Sequence, residues 1–380
     1  MAIWYGAMEE VVSLGLDSPW RGRRVFLTGH TGFKGSWMAL WLTQMGATVC
    51  GYSLAPPSEP SLFEVARIGE RVHHIEADIC ELPRLQAAMQ DFAPEVVFHL
   101  AAQSLVRRSY AEPVLTYATN VMGTVNVLDS IRHTASVKAA VLITTDKCYQ
   151  NREWQWGYRE NDRLGGHDPY SNSKACAELV SAAYRDSFFP PEKLGVHGVA
   201  VATARAGNVI GGGDWAVDRL IPDLMRGFIA GEQVAIRNPH AIRPWQHVLE
   251  PIRGYIQLAE RLLAPDASFT SAWNFGPDEE DARPVEWIVR ELAKQWSPDA
   301  TWAIDEGVHP HEATYLKLDC ARAHNLLGWR PTLALSGALQ FIVEWFKQWQ
   351  AGSDMQQITL DQIAAYQRLS QYDAADSNRS

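Results

Sequence analysis

Tyr170-Ser171-Asn172-Ser173-Lys174 places a phenol and an amine four residues apart. On a helix that spacing sets both side chains on one face. A free phenol titrates near about 10. A neighbouring ammonium stabilises the phenolate and lowers that value. Tyr170 can then take the proton from a hydroxyl whose carbon is being oxidised. Upstream stands Thr144-Thr145-Asp146-Lys147-Cys148-Tyr149. Thr145 can hydrogen-bond the hydroxyl under attack, and Asp146 can act as acid toward a leaving hydroxyl. The plainer alternative for this segment is a Thr-Asp turn that caps a helix.

The second chemical segment is Thr28-Gly29-His30-Thr31-Gly32-Phe33-Lys34-Gly35. Its glycines recur every third residue, with an apolar strand before and a helical segment after. A diphosphate needs close backbone approach, and a helix start offers free N–H groups and the positive end of its dipole. Gly29 and Gly32 fit the turn and the close approach, and Gly35 fits tight helix–strand packing. The pattern predicts a dinucleotide site, so Tyr170 would act while hydride leaves for a nicotinamide, with Lys174 also on the nicotinamide ribose. The acidic residue expected some twenty positions on, which holds the adenosine ribose, is missing: Gly51-Tyr52-Ser53-Leu54 stands there. Ser53 can serve a ribose hydroxyl or a phosphate. Asp78 fits the adenine amino group or a helix N-cap equally well.

Positioning these groups takes alternating strands and helices. Apolar runs predict strands at Arg24–Thr28, Thr48–Tyr52, His74–Ala77, Val96–Leu100, Ala139–Thr144 and Val199–Ala204. Helical patterns fill Lys34–Met45, closed by Gly46, and Ser104–His133 and Ser171–Phe188. This is an α/β chain with a Rossmann-type, doubly wound parallel sheet. After Gly211 glycine and proline become frequent and the rhythm is lost, which reads as a smaller mixed α/β substrate-binding lobe. The expected divisions are an N-terminal extension (1–22), an NAD-binding domain (23–205), a second lobe with returns to the first (206–350) and a C-terminal tail (351–380) whose end, Asp373–Ser380, frays.

Composition narrows the function further. Charged residues make up 21% and hydrophobic ones 47%, enough for a sizeable core. A net charge of −10 argues against general nucleic-acid binding. Five scattered cysteines show no metal or disulfide spacing. They read as reduced thiols of a cytoplasmic protein. Met1–Gly22 lacks the basic start and apolar run of a signal peptide, and no run is long enough for a membrane span. His309-Pro310-His311-Glu312 groups two imidazoles with a carboxylate, but the proline and the missing further ligands make a metal the poorer reading. No metal is expected.

Taken together, these segments resemble the extended short-chain dehydrogenase/reductases, and within them the nucleotide-sugar 4,6-dehydratases. The resemblance runs from about Trp20 to Pro331. It is carried by Thr28–Gly35, His99-Leu100-Ala101-Ala102-Gln103, Asn120-Val121-Met122-Gly123-Thr124, Thr145-Asp146, Tyr170–Lys174, Arg205-Ala206-Gly207-Asn208-Val209 and Leu326-Leu327-Gly328-Trp329-Arg330-Pro331. Gly29–Gly35, Thr145-Asp146-Lys147, Gly211-Gly212-Gly213-Asp214-Trp215 and Arg243-Pro244-Trp245-Gln246-His247 look like the members that act on CDP-glucose.

The resemblance implies oxidation at C4 of the sugar, loss of water across C5 and C6, and return of hydride to C6. The product would be CDP-4-keto-6-deoxyglucose. It assigns catalysis to Thr145, Asp146, Lys147, Tyr170 and Lys174. NAD would be held by Gly29, His30, Thr31, Gly32, Phe33, Lys34, Gly35, Ser53, Asp78, Ile79, Leu100, Ala101, Ala102 and Gln103, together with Tyr170 and Lys174. The nucleotide sugar would meet Gln103, Ser104, Asn208, Arg219, Leu220, Arg243, Asn274, His311 and Glu312. Many 4,6-dehydratases carry Glu after the Asp as base at C5. Lys147 stands there instead, so the C5 base is open. Asp146 must be protonated for elimination, which requires Lys147 to point away or a relay to bring the proton. A homodimer or larger homo-oligomer, built on Ser104–His133 and Ser171–Phe188, is also implied. The alternatives are another 4,6-dehydratase or 4-epimerase specificity and, from a different class, a non-enzymatic NAD(P)-binding sensor.

Overall fold

The computed structural model describes residues 18–264, 266–305, 307 and 316–377, with side chains to Gln371. Strands β1 (Arg24–Thr28), β2 (Thr48–Ser53), β3 (His73–Glu76), β4 (Val96–His99), β5 (Ala139–Ile143) and β6 (Ala200–Arg205) fall on the six predicted runs within one or two residues. Short strands β7 (Val209–Ile210), β8 (Val234–Ile236), β9 (Ile242–Pro244) and β10 (Gln246–His247) precede β11 (Ala272–Asn274), β12 (Ala282–Pro284) and β13 (Trp302–Ile304). Seven strands make one parallel sheet in the order β11-β6-β5-β4-β1-β2-β3. β4, β5 and β6 are buried at every residue. That explains their continuous apolar runs, because a sheet covered on both faces has no polar side.

The helices are α1 (Phe33–Gln44), α2 (Leu62–Val65), α3 (Leu82–Phe92), α4 (Val106–Ala111), α5 (Pro113–Tyr117), α6 (Gly123–Arg132), α7 (Pro169–Phe188) and α8 (Leu194–His197). Then come α9 (Leu220–Ala230), α10 (Leu249–Leu263), α11 (Val285–Trp296), α12 (Leu335–Gln350) and α13 (Met355–Ser377). α1 and α10 cover one face of the sheet; α3, α6 and α7 cover the other. Gly46, at φ +89°, ends α1 in the left-handed conformation that glycine adopts without strain.

The structure refines two expectations and corrects one. Ser104–His133 contains the expected long helical stretch, residues 113–132, behind a shorter helix. It breaks at Glu112 between α4 and α5, because Pro113 has no N–H and pushes the residue before it out of helical geometry. A π-helical turn, Ala118–Met122, then leads into α6. The returns of the second lobe to the first domain include β11, which joins the sheet beside β6. The segment 351–380 is not a tail in its described part: helix α13 continues through Ser377 and so into the stretch expected to fray. It lays Met355, Thr359, Ile363 and Tyr366 against the core. Tyr366 packs edge-on to Trp41 of α1 and donates to Glu250 Oε2 at 2.6 Å.

The sheet reverses direction of winding between β1 and β4. A crevice opens there at the carboxyl ends of the strands, where open α/β sheets place ligands.

Candidate active site

The glycine-rich loop leaves β1 at the crevice. Gly29 has φ +78°, and a Cβ on it would lie 2.6 Å from the Ala101 amide nitrogen. Thr28 fixes that approach, its Oγ1 accepting from Ala101 N at 3.2 Å. A Cβ on Gly35 would lie 2.1 Å from Gly29 O, so this glycine is closed in by backbone. Gly32 differs: a Cβ there would meet only Gly29 O, at 3.4 Å. The open face of the loop is therefore at Gly32, the N-cap of α1, where no side chain caps the helix. Unclaimed amides beside an open glycine fit a dinucleotide's diphosphate.

The flanking side chains divide. His30 is fully buried over Gly51, with Nε2 2.7 Å from His74 Nδ1. Burial, and then His74, push its pKa down to about 3. Only its backbone is left to a cofactor. Thr31 Oγ1 donates to Leu54 O and lies 2.8 Å from Ser53 Oγ, drawing Ser53 into the loop. Asp78 Oδ1 accepts from Cys80 N at 2.8 Å in a local turn; it is not the helix N-cap, since Glu81 holds that place before α3. Ile79 is buried against Gly123, and Leu100 and Ala102 flank Ala101. Phe33 packs on Gly211. Lys34 runs into the crevice, Nζ 3.5 Å from the Tyr255 hydroxyl. Burial, then the nearby charges of Lys174 and Arg219, lower its pKa to about 7.

β5 delivers Thr145 and Asp146. Thr145 Oγ1 donates to Asp146 Oδ1 at 3.0 Å, and Lys147 Nζ lies 3.6 Å from the same oxygen. Lys147 and Asp146 are thus paired rather than directed apart. Asp146 is fully buried, seated against Gly207, where a Cβ would sit 1.8 Å from Oδ2. That Oδ2 has no hydrogen-bond partner among the described residues.

Asp168 caps α7 by accepting from Ser171 N at 2.9 Å, and Pro169 opens the helix. This sets Tyr170 and Lys174 one turn apart over the end of β5. Lys174 Nζ donates to Ile143 O at 3.1 Å. Burial pushes the Tyr170 phenol up to about 12; the nearby Thr145 hydroxyl pulls the other way. The expected lowering by Lys174 is not found; the cation that pulls the phenol down is Arg219, and burial outweighs it. Burial lowers Lys174 to about 8, against the raising effect of Glu178.

On the opposite lobe, Asn208 Nδ2 is buried without a partner among the described residues. Arg219, preceding Leu220 at the start of α9, bonds Asp214 Oδ2 at 3.0 Å and Ser104 Oγ at 2.9 Å. Arg243 lies on β9, paired with Arg283 of β12. Two predicted contacts are engaged elsewhere. The Asn274 side chain is fully buried and accepts from Tyr149 Oη while donating to the carbonyls of Tyr158 and Asp319. The Gln103 amide is tied to Leu105 and Thr116. Both shape the floor of the site. His311 and Glu312 lie outside the described residues.

Sequence reading missed Tyr255, a buried residue of α10 whose phenol pKa is pushed up by burial first and then by the nearby Tyr170 and Asp146. It also missed the buried Arg205–Glu178 pair at 2.7 Å, which braces β6 against α7.

A Rossmann sheet carrying this loop, Tyr170 with Lys174, and an acid beside Thr145 defines a class of sugar-modifying enzyme. The chain belongs to the GDP-mannose 4,6 dehydratase family, whose pattern matches residues 26–340. It is 56% identical over 347 residues to the CDP-glucose 4,6-dehydratase of Salmonella typhimurium, covering 91% of this chain and 97% of that one. It is 28% identical over 334 residues to the dTDP-glucose 4,6-dehydratase of Streptomyces griseus, covering 85% and 93%. Its fold matches a Bacillus cereus UDP-glucuronic acid 4-epimerase solved with UDP-glucuronic acid and NAD (TM-score 0.73, 23% identity, 86% and 99% covered). It likewise matches the dTDP-glucose 4,6-dehydratase of Bacillus anthracis in complex with NAD (TM-score 0.71, 18% identity, 88% and 100% covered).

Proposed function

We propose that the chain converts CDP-glucose to CDP-4-keto-6-deoxyglucose with retained NAD, as a hydro-lyase. The observation that carries this is Asp146: a buried carboxylate with one open oxygen, adjoining the Thr145–Tyr170–Lys174 group. Oxidation alone needs no such acid, whereas expulsion of a hydroxyl does.

The loop amides at Gly32 would hold the NAD diphosphate, and Lys174 the nicotinamide ribose. When bound, NAD supplies a reversible store for one hydride. Tyr170 removes the O4 proton, with Thr145 hydrogen-bonded to the same oxygen. The C4 ketone then acidifies C5–H. Passing a proton from Lys147 to Asp146, 3.6 Å away, would make a carboxylic acid and a free amine at once. The Lys147 amine takes the C5 proton, the electron pair forms the C5–C6 double bond, and O6 leaves as water with the proton of Asp146. The ion pair is then restored, and the product would be completed by return of the stored hydride to C6 and of a proton from Lys147 to C5. Pairing of Lys147 with Asp146, rather than their separation, is what supports this relay.

Asn208, Arg219 and Arg243 would face the nucleotide diphosphate, where the planar fork of arginine suits phosphate oxygens. The exposed apolar residues of α4, α5 and α7 support a homodimer. No described helix is long and apolar enough to cross a membrane. The five free cysteines suit the reducing cytoplasm.

The test is incubation with CDP-glucose, dTDP-glucose, UDP-glucose and GDP-mannose, followed by NMR of the product. A 4-keto-6-deoxy product from CDP-glucose is expected, with C4 deuterium recovered at C6 and no net absorbance at 340 nm. A 4-epimer, or steady NADH accumulation, would overturn the reading.

A further inference from the structure

Two contacts join the start of α4 to the segment before α9. Arg219 bonds Ser104, as described above. One turn along from Ser104, Arg107 donates to Asp218 Oδ1 at 3.2 Å, and Arg237 Nη1 lies 3.7 Å from the same oxygen. Because Ser104 and Arg107 are a turn apart and Asp218 and Arg219 are consecutive, the two bridges lie side by side. Arg107, Arg219 and Arg237 therefore share two carboxylates, Asp214 and Asp218, leaving local positive charge on a chain of net −10.

The two carboxylates differ. Asp214 is buried, and its bond to Arg219 is part of the wall. Asp218 is 42% exposed at the side chain, with Arg107 at 40%, so this bridge can be exchanged. Asp218 also has φ +61°, a left-handed conformation that aspartate adopts more readily than most residues. A backbone turned this way to present a carboxylate to two arginines looks like a placeholder for an anion.

We propose that Arg107 is a ligand of the nucleotide sugar's diphosphate, held by Asp218 until that ligand arrives. The proposal rests on the reading that places the diphosphate at Arg219. A diphosphate beside Arg219 brings more charge and more acceptor oxygens than one carboxylate, and Arg107 can swing to it while Arg237 keeps Asp218. Asp218 is then a competitor built into the site.

This gives the two partners opposite roles, which a merely structural bridge would not. In steady-state assays with CDP-glucose, Arg107→Ala is expected to raise KM roughly ten- to hundredfold with little change in kcat, as for loss of a charged hydrogen bond. Asp218→Asn is expected to lower KM severalfold. Calorimetry with CDP in the presence of NAD should show the same contrast without turnover. Arg107→Gln repeats the test if the alanine variant loses stability. Variants that shift KM and CDP affinity in the same direction, or not at all, would make the bridge a structural or surface pair and overturn the proposal. Wild-type failure to turn over CDP-glucose would sink the proposed function instead, leaving the CDP contrast to judge Arg107; failure to bind CDP at all would sink both.

Discussion

With Oδ1 taken by Thr145 and Lys147, Asp146 has one oxygen left to protonate a leaving hydroxyl. Asn keeps its shape but cannot give up a proton readily. Asp146→Asn should still oxidise C4, seen as a single-turnover NADH signal, yet form product slower by ~10²–10⁴-fold. Elimination at the wild-type rate would assign the acid elsewhere. Lys174 makes a second prediction, through stability. Its pKa falls from 10.5 to about 8 on folding. Below about 8 both states carry the ammonium, so the full penalty of burying it is present. Between there and 10.5 the unfolded chain binds more protons, and the penalty fades as pH rises. Lys174→Met in the cofactor-free protein should therefore be stabilised most below pH 8, by at most about 3 kcal/mol, with the gain shrinking toward pH 10.5. A gain that grows with pH in denaturant titrations would contradict this. Thr145, Asp146, Tyr170 and Lys174 could be picked out as candidates by their types and by their place after the fifth strand, although Thr145 also fills the plainer role of capping the turn at Asp146–Cys148. Tyr255 was not, because a tyrosine on the buried side of a helix reads as core packing.

At the level of elements, the loop between β1 and α1 separates two uses of glycine. Gly35 is enclosed by backbone, so Gly35→Ala forces Gly29 to move and should lower Tm sharply. Gly32→Ala meets nothing closer than 3.4 Å, and its φ of −78° suits alanine. This variant should keep the wild-type Tm without cofactor but bind NAD at least tenfold more weakly, because the methyl occupies the approach of the diphosphate. Calorimetry and thermal melts read the two effects separately; equal loss of Tm in both variants would mean that neither glycine faces the ligand. Five of the seven sheet strands could be read in advance from largely buried, apolar runs; β3, exposed at three of its four residues, was placed by the alternation of strands and helices. β11 could not: it has three residues, among them Asn274, and it owes its place to pairing with β6. The break in the Ser104–His133 run was written in Pro113, but an unbroken periodicity on either side masked it.

Across the whole molecule, the least legible part was α13, whose sequence mixes glutamines with apolar residues that form no clear stripe. Its docking depends on partners far along the chain, Glu250 with Tyr366 and Arg67 with Asp354. The other molecular question is what covers the outer side of α4, α5 and α7. Tyr110, Val114, Leu115, Leu179 and Phe188 are all large apolar side chains at least 40% exposed, with Val114 at 82%. Tyr117 of α5 donates to Asn172 of α7 at 2.8 Å, so these helices form one continuous surface. Single exposed apolar residues are ordinary, but a contiguous set marks an interface. Two such surfaces related by a twofold axis would bring six helices together, three from each copy, and would need to bury the ~1,200–2,000 Å² of a stable complex. Sedimentation at micromolar concentration should therefore give a dimer or a dimer-based oligomer. Val114→Glu combined with Leu179→Glu puts like charges where the two copies meet, and should yield a folded monomer at the same concentration. Because Thr145, Asp146, Tyr170 and the Gly32 loop all come from one chain, that monomer should still bind NAD. A monomeric wild type would remove the interface from these helices, and a doubly substituted protein that remains dimeric would move it elsewhere.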